Sequence, residues 1–159
     1  MKIGCNYWAS HAGTRMWELW DEEIVRNDLT RLRGLGCELL RVFPNWRDFQ
    51  PIELLAGYRG RVRAIRMHGE DLPDTPCGRA GVDETMIRRF RTFASIAEEN
   101  HLQLIVGIVT GWMSGTLFLP PALEKLNALT DSFSIQWQVK FVRCFVRELK
   151  ECAAIRCWE

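Results

Sequence analysis

Residues 102–109 read LQLIVGIV, and this run constrains the fold more than any other segment. It is almost continuously apolar, as strands are when a parallel sheet is covered by helices on its faces. It is also far too short to cross a bilayer, which takes about 20 apolar residues. Three further runs read as strands: residues 2–8, residues 37–43 (CELLRVF, stopped by Pro44) and residues 154–158. Helical spacing fills the gaps between them. Asp21 is a candidate N-cap for a helix carrying Ile24, Val25, Leu29 and Leu32, which Gly34 and Gly36 end. Asp83 is placed to cap a second helix with Met86, Ile87, Phe90, Ala94 and Ala97 on one stripe. A third helix is expected over residues 134–152, with Phe141, Val142, Phe145, Val146 and Leu149 as its apolar face.

The order β-α-β-α-β-α-β implies an α/β fold with a parallel sheet built by right-handed crossovers. Two architectures fit. An open doubly wound sheet could be complete in 159 residues. A (β/α)8 barrel takes about 250 residues, so only its N-terminal half would be present. Neither GxGxxG nor GxxxxGK[ST] follows the first strand, which weakens the nucleotide-binding open sheets.

Composition removes several functional classes. Against 21 basic residues stand 20 acidic ones, with no block of like charge, so no electrostatic footprint for nucleic acid exists. No membrane span is expected. Residues 2–8 run directly into a strand without the apolar core of a signal peptide. The six cysteines include no CxxC pair; Cys5, Cys37 and Cys157 fall in strand-like runs and Cys144 and Cys152 in a helical one. They read as free thiols, which implies a cytoplasmic setting, or an extracellular one if a leader has been removed. His11, His68 and His101 lack metal-ligand spacing, so no metal or cofactor is expected. Glu22–Glu23 and Glu98–Glu99 read as solvated helix faces, and the adjacency of Ser10 and His11 says nothing about a nucleophile and its base.

The loops are sharply asymmetric. The helix-to-strand turns at residues 34–36 and 100–101 are minimal, whereas the strand-to-helix loops are long. Residues 44–81 read as one irregular stretch, and residues 110–121 as another. In parallel α/β proteins the loops after the strand C-termini carry the chemistry. Here they hold Trp8, His11, Trp17, Trp20, Asn45, Trp46, Phe49, Tyr58, His68, Trp112 and Ser114. The chain has 7 Trp against 2 Tyr, and indoles gathered with Asn, His and Arg suit the C–H faces and hydroxyls of sugars. Asn6, Trp8, His11, Asn45, Trp46, Trp112 and Ser114 are the candidate sugar contacts. Trp17, Trp20 and Trp137 are expected to pack the loops and helices instead.

Three segments carry a resemblance to a known family: IGCNYWASHAGTRMW (residues 3–17), LLRVFPNWRDFQP (39–51) and LIVGIVTGWMSG (104–115). They are similar to clan A glycoside hydrolases, closest to the family five cellulases and β-mannanases, and the resemblance runs from the first strand to the start of the fourth. It implies that residues 1–159 form the N-terminal half of a (β/α)8 catalytic domain of a retaining β-glycosidase or endo-β-glycanase. Arg41 then matches the family's arginine that orients the nucleophilic carboxylate. The residues themselves agree, since an Arg within CELLRVF needs a carboxylate or a cavity. In the family, the fourth strand commonly reads W-E-x-G-N-E, and its last Glu is the general acid/base. On that register Trp158-Glu159 opens the motif, with both catalytic carboxylates beyond the end of the chain and Glu159 buried in the barrel. A retaining glycosidase needs the pair about 5 to 5.5 Å apart.

Two functional readings share this fold. One is an enzyme half that acts on mannan-like or β-glucan-like chains and is inactive alone. The other is a non-catalytic module that binds sugar or completes a barrel with another half. Both expect Trp8, Arg41, Trp46 and Trp112 around a concave site, an oligo- or polysaccharide partner, and self-association through the edges 2–8 and 154–158.

Overall fold

The computed structural model describes residues 2–57 and 62–159. Along the chain run β1 (Gly4–Asn6), α1 (Glu22–Gly34), β2 (Leu39–Val42), the single turn α2 (Trp46–Phe49), β3 (Ile52–Ala56), β4 (Val62–Met67), β5 (Glu70–Asp71), α3 (Glu84–Glu99), β6 (Gln103–Val106), β7 (Trp112–Met113), β8 (Thr116–Leu117), α4 (Ser132–Leu149) and β9 (Ile155–Trp158). The three long helices begin where an aspartate meets an apolar stripe. Asp21 accepts a hydrogen bond from the Ile24 backbone N–H, Asp83 from Thr85 and Asp131 from Ser134. Each cap satisfies a donor that the first helical turn leaves open, for about 1 kcal/mol.

Strands β1, β2, β6 and β9 form one parallel sheet in that order. The order decides between the two architectures. A doubly wound sheet starts in the middle and reverses direction at a switch point. This sheet advances by one neighbour at each crossover, so successive right-handed connections place all the helices on one side. Residue burial agrees with that arrangement. Leu40, Val42, Leu104 and Val106 are fully buried, while Arg41 and Ile105 between them stay partly exposed. On the covered side Trp158 meets Phe145 of α4 edge-on, and Tyr7 stacks on Phe93 of α3. The result is half of a (β/α)8 barrel with its inner face open.

The core lies between sheet and helices. Phe90 contacts Trp17, Phe49, Phe93 and Phe145, mostly edge-to-face or tilted, which suits the ring quadrupoles. Trp17 is wholly buried, with its indole N–H donating to the Phe43 carbonyl at 2.8 Å. Trp137 is buried and Trp20 half-buried, stacked on Trp17.

The two irregular stretches contain structure that the sequence reading missed. Residues 44–81 hold α2 and an antiparallel meander, β3–β4–β5, and residues 110–121 hold the hairpin β7–β8. In the first, Glu53, Leu54, Leu55 and Ala56 are all exposed, so no apolar/polar alternation marks the strand. In the second, each strand has only two residues, joined at Ser114 (φ 51°) and Gly115 (φ 76°), both left-handed as a tight hairpin turn requires. Gln50 fastens the meander to the core. Its buried amide accepts from the Trp46 indole (2.7 Å) and donates to the Ala80 (2.7 Å) and Trp137 (3.0 Å) carbonyls.

Candidate functional site

Strand register sets what the open face displays. Asn6, Arg41, Ile105 and Cys157 are aligned across the four strands. One step further toward the strand C-termini come Phe43, Gly107 and Glu159, tied by Gly107 N–H to the Val42 carbonyl and Glu159 N–H to the Val106 carbonyl. Trp8 joins this second level by stacking on Phe43, ring centroids 5.3 Å apart. Glycine at 107 is what admits the Phe43 ring, because a Cβ there would lie 3.1 Å from Phe43 Cδ1.

Arg41 bridges the two levels. Its guanidinium lies 4.6 Å from the centre of the Phe43 ring and donates from Nε and Nη2 to the two Glu159 oxygens at 2.5 and 2.6 Å. This fork-on-fork pair fixes both side chains in direction as well as charge. The hydrogen bonds hold the Glu159 carboxyl below the ordinary carboxylate range and raise Arg41 further above its own. A hollow lined by Arg41, Phe43, Val109, Trp112, Met113 and Glu159 opens above them. Trp112 stands at its rim on β7, 66% exposed. Arg41 and Trp112 therefore belong to one concave region at the C-terminal end of the sheet, whereas Trp8, stacked on Phe43, lines a separate hollow between β1 and α1 with Tyr7, Asp28 and Leu32.

Other candidate residues are placed differently. Asn6 lines an adjoining hollow with Arg41 and Ile105. His11 is exposed, its Nε2 paired with the Leu19 carbonyl at 2.7 Å, so it braces the loop after β1. Ser114 is at the exposed tip of the β7–β8 hairpin. Trp46 is a correction: it is fully buried and spends its N–H on Gln50, because the turn α2 folds it under the meander. Asn45 is a second correction. It too is fully buried, donating to the Thr14 carbonyl (2.7 Å) and to Asp48 (3.0 Å), and so ties the loop after β1 to α2. Glu159 is half exposed on the open inner face of this sheet. Tyr58 lies outside the described residues.

Phe43 is the neighbour of the candidate site that the sequence reading passed over; it is almost fully buried and supports the Arg41 guanidinium and the Trp8 ring. The signal was present: side chains two apart on a strand share a face, so a site built on Arg41 includes Phe43. Asp48 lies beneath the site with its carboxyl raised above the usual range, chiefly by burial and against the hydrogen bond from Asn45. Among the described residues one cluster has metal-ligand chemistry, Cys77 with Cys144 and Glu148, and it lies away from the sheet's open face. No helix among them is long and apolar enough to cross a membrane.

No protein family's sequence profile matches the chain, and no curated protein matches it. Solved structures do. An exo-β-1,4-mannosidase from Opitutaceae bacterium strain TAV5 superposes with a TM-score of 0.77 and 27% identity, over 99% of this chain and 24% of that one. A GH5_18 protein from Bifidobacterium longum subsp. longum, solved with Manβ1-4GlcNAc, gives 0.76 and 25% identity, over 99% and 32%. The β-mannanase of the blue mussel Mytilus edulis, at 0.55 and 16%, shares the fold alone, over 99% and 38%. The chain thus spans between a quarter and two fifths of the length of these structures. In fold and in sequence it resembles the N-terminal half of the clan A, family five glycoside hydrolases.

Proposed function

We propose that residues 1–159 supply the sugar-positioning half of a retaining β-glycosidase acting on β-mannosidic bonds. The observation that carries this reading is the hollow that the Arg41–Glu159 pair and exposed Trp112 line on the open face, with buried Phe43 and the Trp8 ring stacked on it beneath Arg41. An exposed indole face takes the C–H side of a pyranose, and the charged fork fixes hydroxyls or a carboxylate. The mannosidase and the complex with Manβ1-4GlcNAc support the choice of sugar. In this role Trp112 offers its indole face at the rim, while the buried Phe43 ring, with Trp8 stacked on it, supports the Arg41 guanidinium. Arg41 is placed to orient a carboxylate toward the hollow, and in the structure it pairs with Glu159.

Turnover needs a proton donor and a nucleophile set about 5 to 5.5 Å apart across the scissile bond. Glu159 is ionised and engaged by Arg41, so it serves poorly as the proton donor. Residues 1–159 should accordingly leave 4-nitrophenyl β-mannoside intact while their tryptophan fluorescence responds to Manβ1-4GlcNAc. Trp112→Ala should weaken that response at least tenfold without changing the melting profile. Hydrolysis by the pure chain, abolished by replacing a single carboxylate within it, would overturn the division of labour. A saturable response left intact by both Trp112→Ala and Trp8→Ala would overturn the site.

A further inference from the structure

We infer that Cys77 and Cys144 are a built pair that closes into a disulfide, covalently fastening the end of the meander segment to helix α4. The inference does not depend on the sugar site, which lies on the other side of the sheet. The two Sγ atoms are 2.9 Å apart, inside ordinary sulfur–sulfur contact, and both residues are almost fully buried. By comparison, Cys5 and Cys37 approach only to 3.7 Å, and Cys5 is exposed. Each member of the close pair sits on a fixed backbone. Cys144 is in the middle of α4, while the Cys77 carbonyl accepts from both Ala80 and Val82 (2.9 Å each) at the head of a short 3-10 turn.

Glu148 brings a carboxylate close enough for the three groups to be considered as a metal site. Charge argues against it. Arg147 Nη2 lies 3.6 Å from Cys144 Sγ and 3.9 Å from Cys77 Sγ, and the same guanidinium pairs with Glu148 at 3.0 Å. Arg91 approaches the other Glu148 oxygen at 3.6 Å. A dication would meet two guanidinium groups and an occupied carboxylate. It would also force the sulfurs apart, since two thiolates on tetrahedral zinc stand about 3.8 Å from each other. A disulfide needs only a small further approach, to about 2.05 Å, and leaves the arginines where they are.

The oxidant is a small organic disulfide, which can reach Cys77 through the depression lined by Pro76, Glu84, Arg88 and Arg91. The Cys77 thiolate attacks one sulfur of that reagent and releases the first thiolate. Cys144, deprotonated in turn, attacks the mixed disulfide at Cys77 Sγ and releases the second. Two protein thiols become one disulfide, and the reagent leaves as two thiols carrying the two protons. Burial raises both cysteines above the ordinary thiol range, so the exchange should quicken on going from pH 7 to pH 9.

The test is to equilibrate the chain with hydroxyethyl disulfide, block free thiols, and digest with trypsin without reduction. The expected product joins peptide 67–79 to peptide 144–147 and is lost in both Cys77→Ala and Cys144→Ala, which keep the apolar packing. Oxidation should also raise the wild-type melting midpoint by about 10 °C, as expected for a bridge closing a loop of this length, and leave both variants unmoved. Two results overturn the inference: Cys77 ending as a stable mixed disulfide with the reagent, or both thiols blocked as free groups after full exposure to it. One equivalent of zinc held by the reduced chain and lost in Cys144→Ala would assign the cluster to a metal instead.

Discussion

The two faces of the four-stranded sheet carry side chains of the same strands, yet they answer to different demands. On the covered face Leu40, Val42, Leu104 and Val106 are wholly excluded from water and meet three helices. On the open face Asn6, Arg41, Ile105, Cys157 and Glu159 keep substantial exposure, and their contacts are polar or aromatic. The covered face is where burial, at about 25 cal/mol per Å² of apolar surface, holds the fold together. The open face contributes little to that sum and is free to carry chemistry.

The sharpest way to break this division is a pair of truncations. Phe90→Ala, beneath the covered face amid four aromatic rings, should cost about 3 to 5 kcal/mol in urea unfolding. Ile105→Ala, on the open face of β6, should cost less than about 1 kcal/mol because its side chain already touches water. Equal costs would mean that the inner face is covered in solution. The next effect is association. Val109, Trp112 and Leu117 are exposed around the open face, and β1 and β9 are the sheet's outer strands. Such edges template pairing, so light scattering should show dimers or larger species as concentration rises, and Ile105→Glu should suppress them. A strictly monomeric wild type that binds no ANS would show that the open face needs no cover.

How much of this was legible in the sequence differs by region for the same reason. The parallel strands and long helices each bury one stripe or both faces, so periodicity and the aspartate caps announce them. In the meander, β3 after Ile52 and the two residues of β5 expose their side chains, so they left no pattern to read. Within the site, Arg41 betrayed itself as a charge inside an apolar run. Trp46 misled, because an indole in a long loop looks the same whether it faces a ligand or the core. Only the fold shows that Gln50 takes its N–H.

Smaller effects sharpen the boundary between the faces. Asp48 is buried with a carboxyl raised above its unfolded range, so the folded chain favours the protonated form. Its contribution is retained at low pH and lost as pH rises from the unfolded carboxylate range through the raised value. Asp48→Asn should therefore stabilise the chain by about 1 kcal/mol at pH 7 and converge with wild type below about pH 4, read from melts across pH. The smallest change in stability is expected from Arg41→Ala. Both partners of its pair are substantially exposed, so solvent screening leaves the pair little share in stability. A larger loss would make Arg41 a structural residue and weaken its assignment to the site.

The monotonic strand order also bears on how the chain is made. β2 pairs with β1, β6 with β2 and β9 with β6, so no strand waits for a later one to be inserted between it and its neighbour. Each βα unit can dock on its predecessor as it leaves the ribosome, in the direction of synthesis. A doubly wound sheet, whose central strand needs partners from both ends of the chain, lacks that property. Translation itself can therefore act as the template: the helices seal one side of the sheet early, while the open side stays exposed to the nascent chain's surroundings.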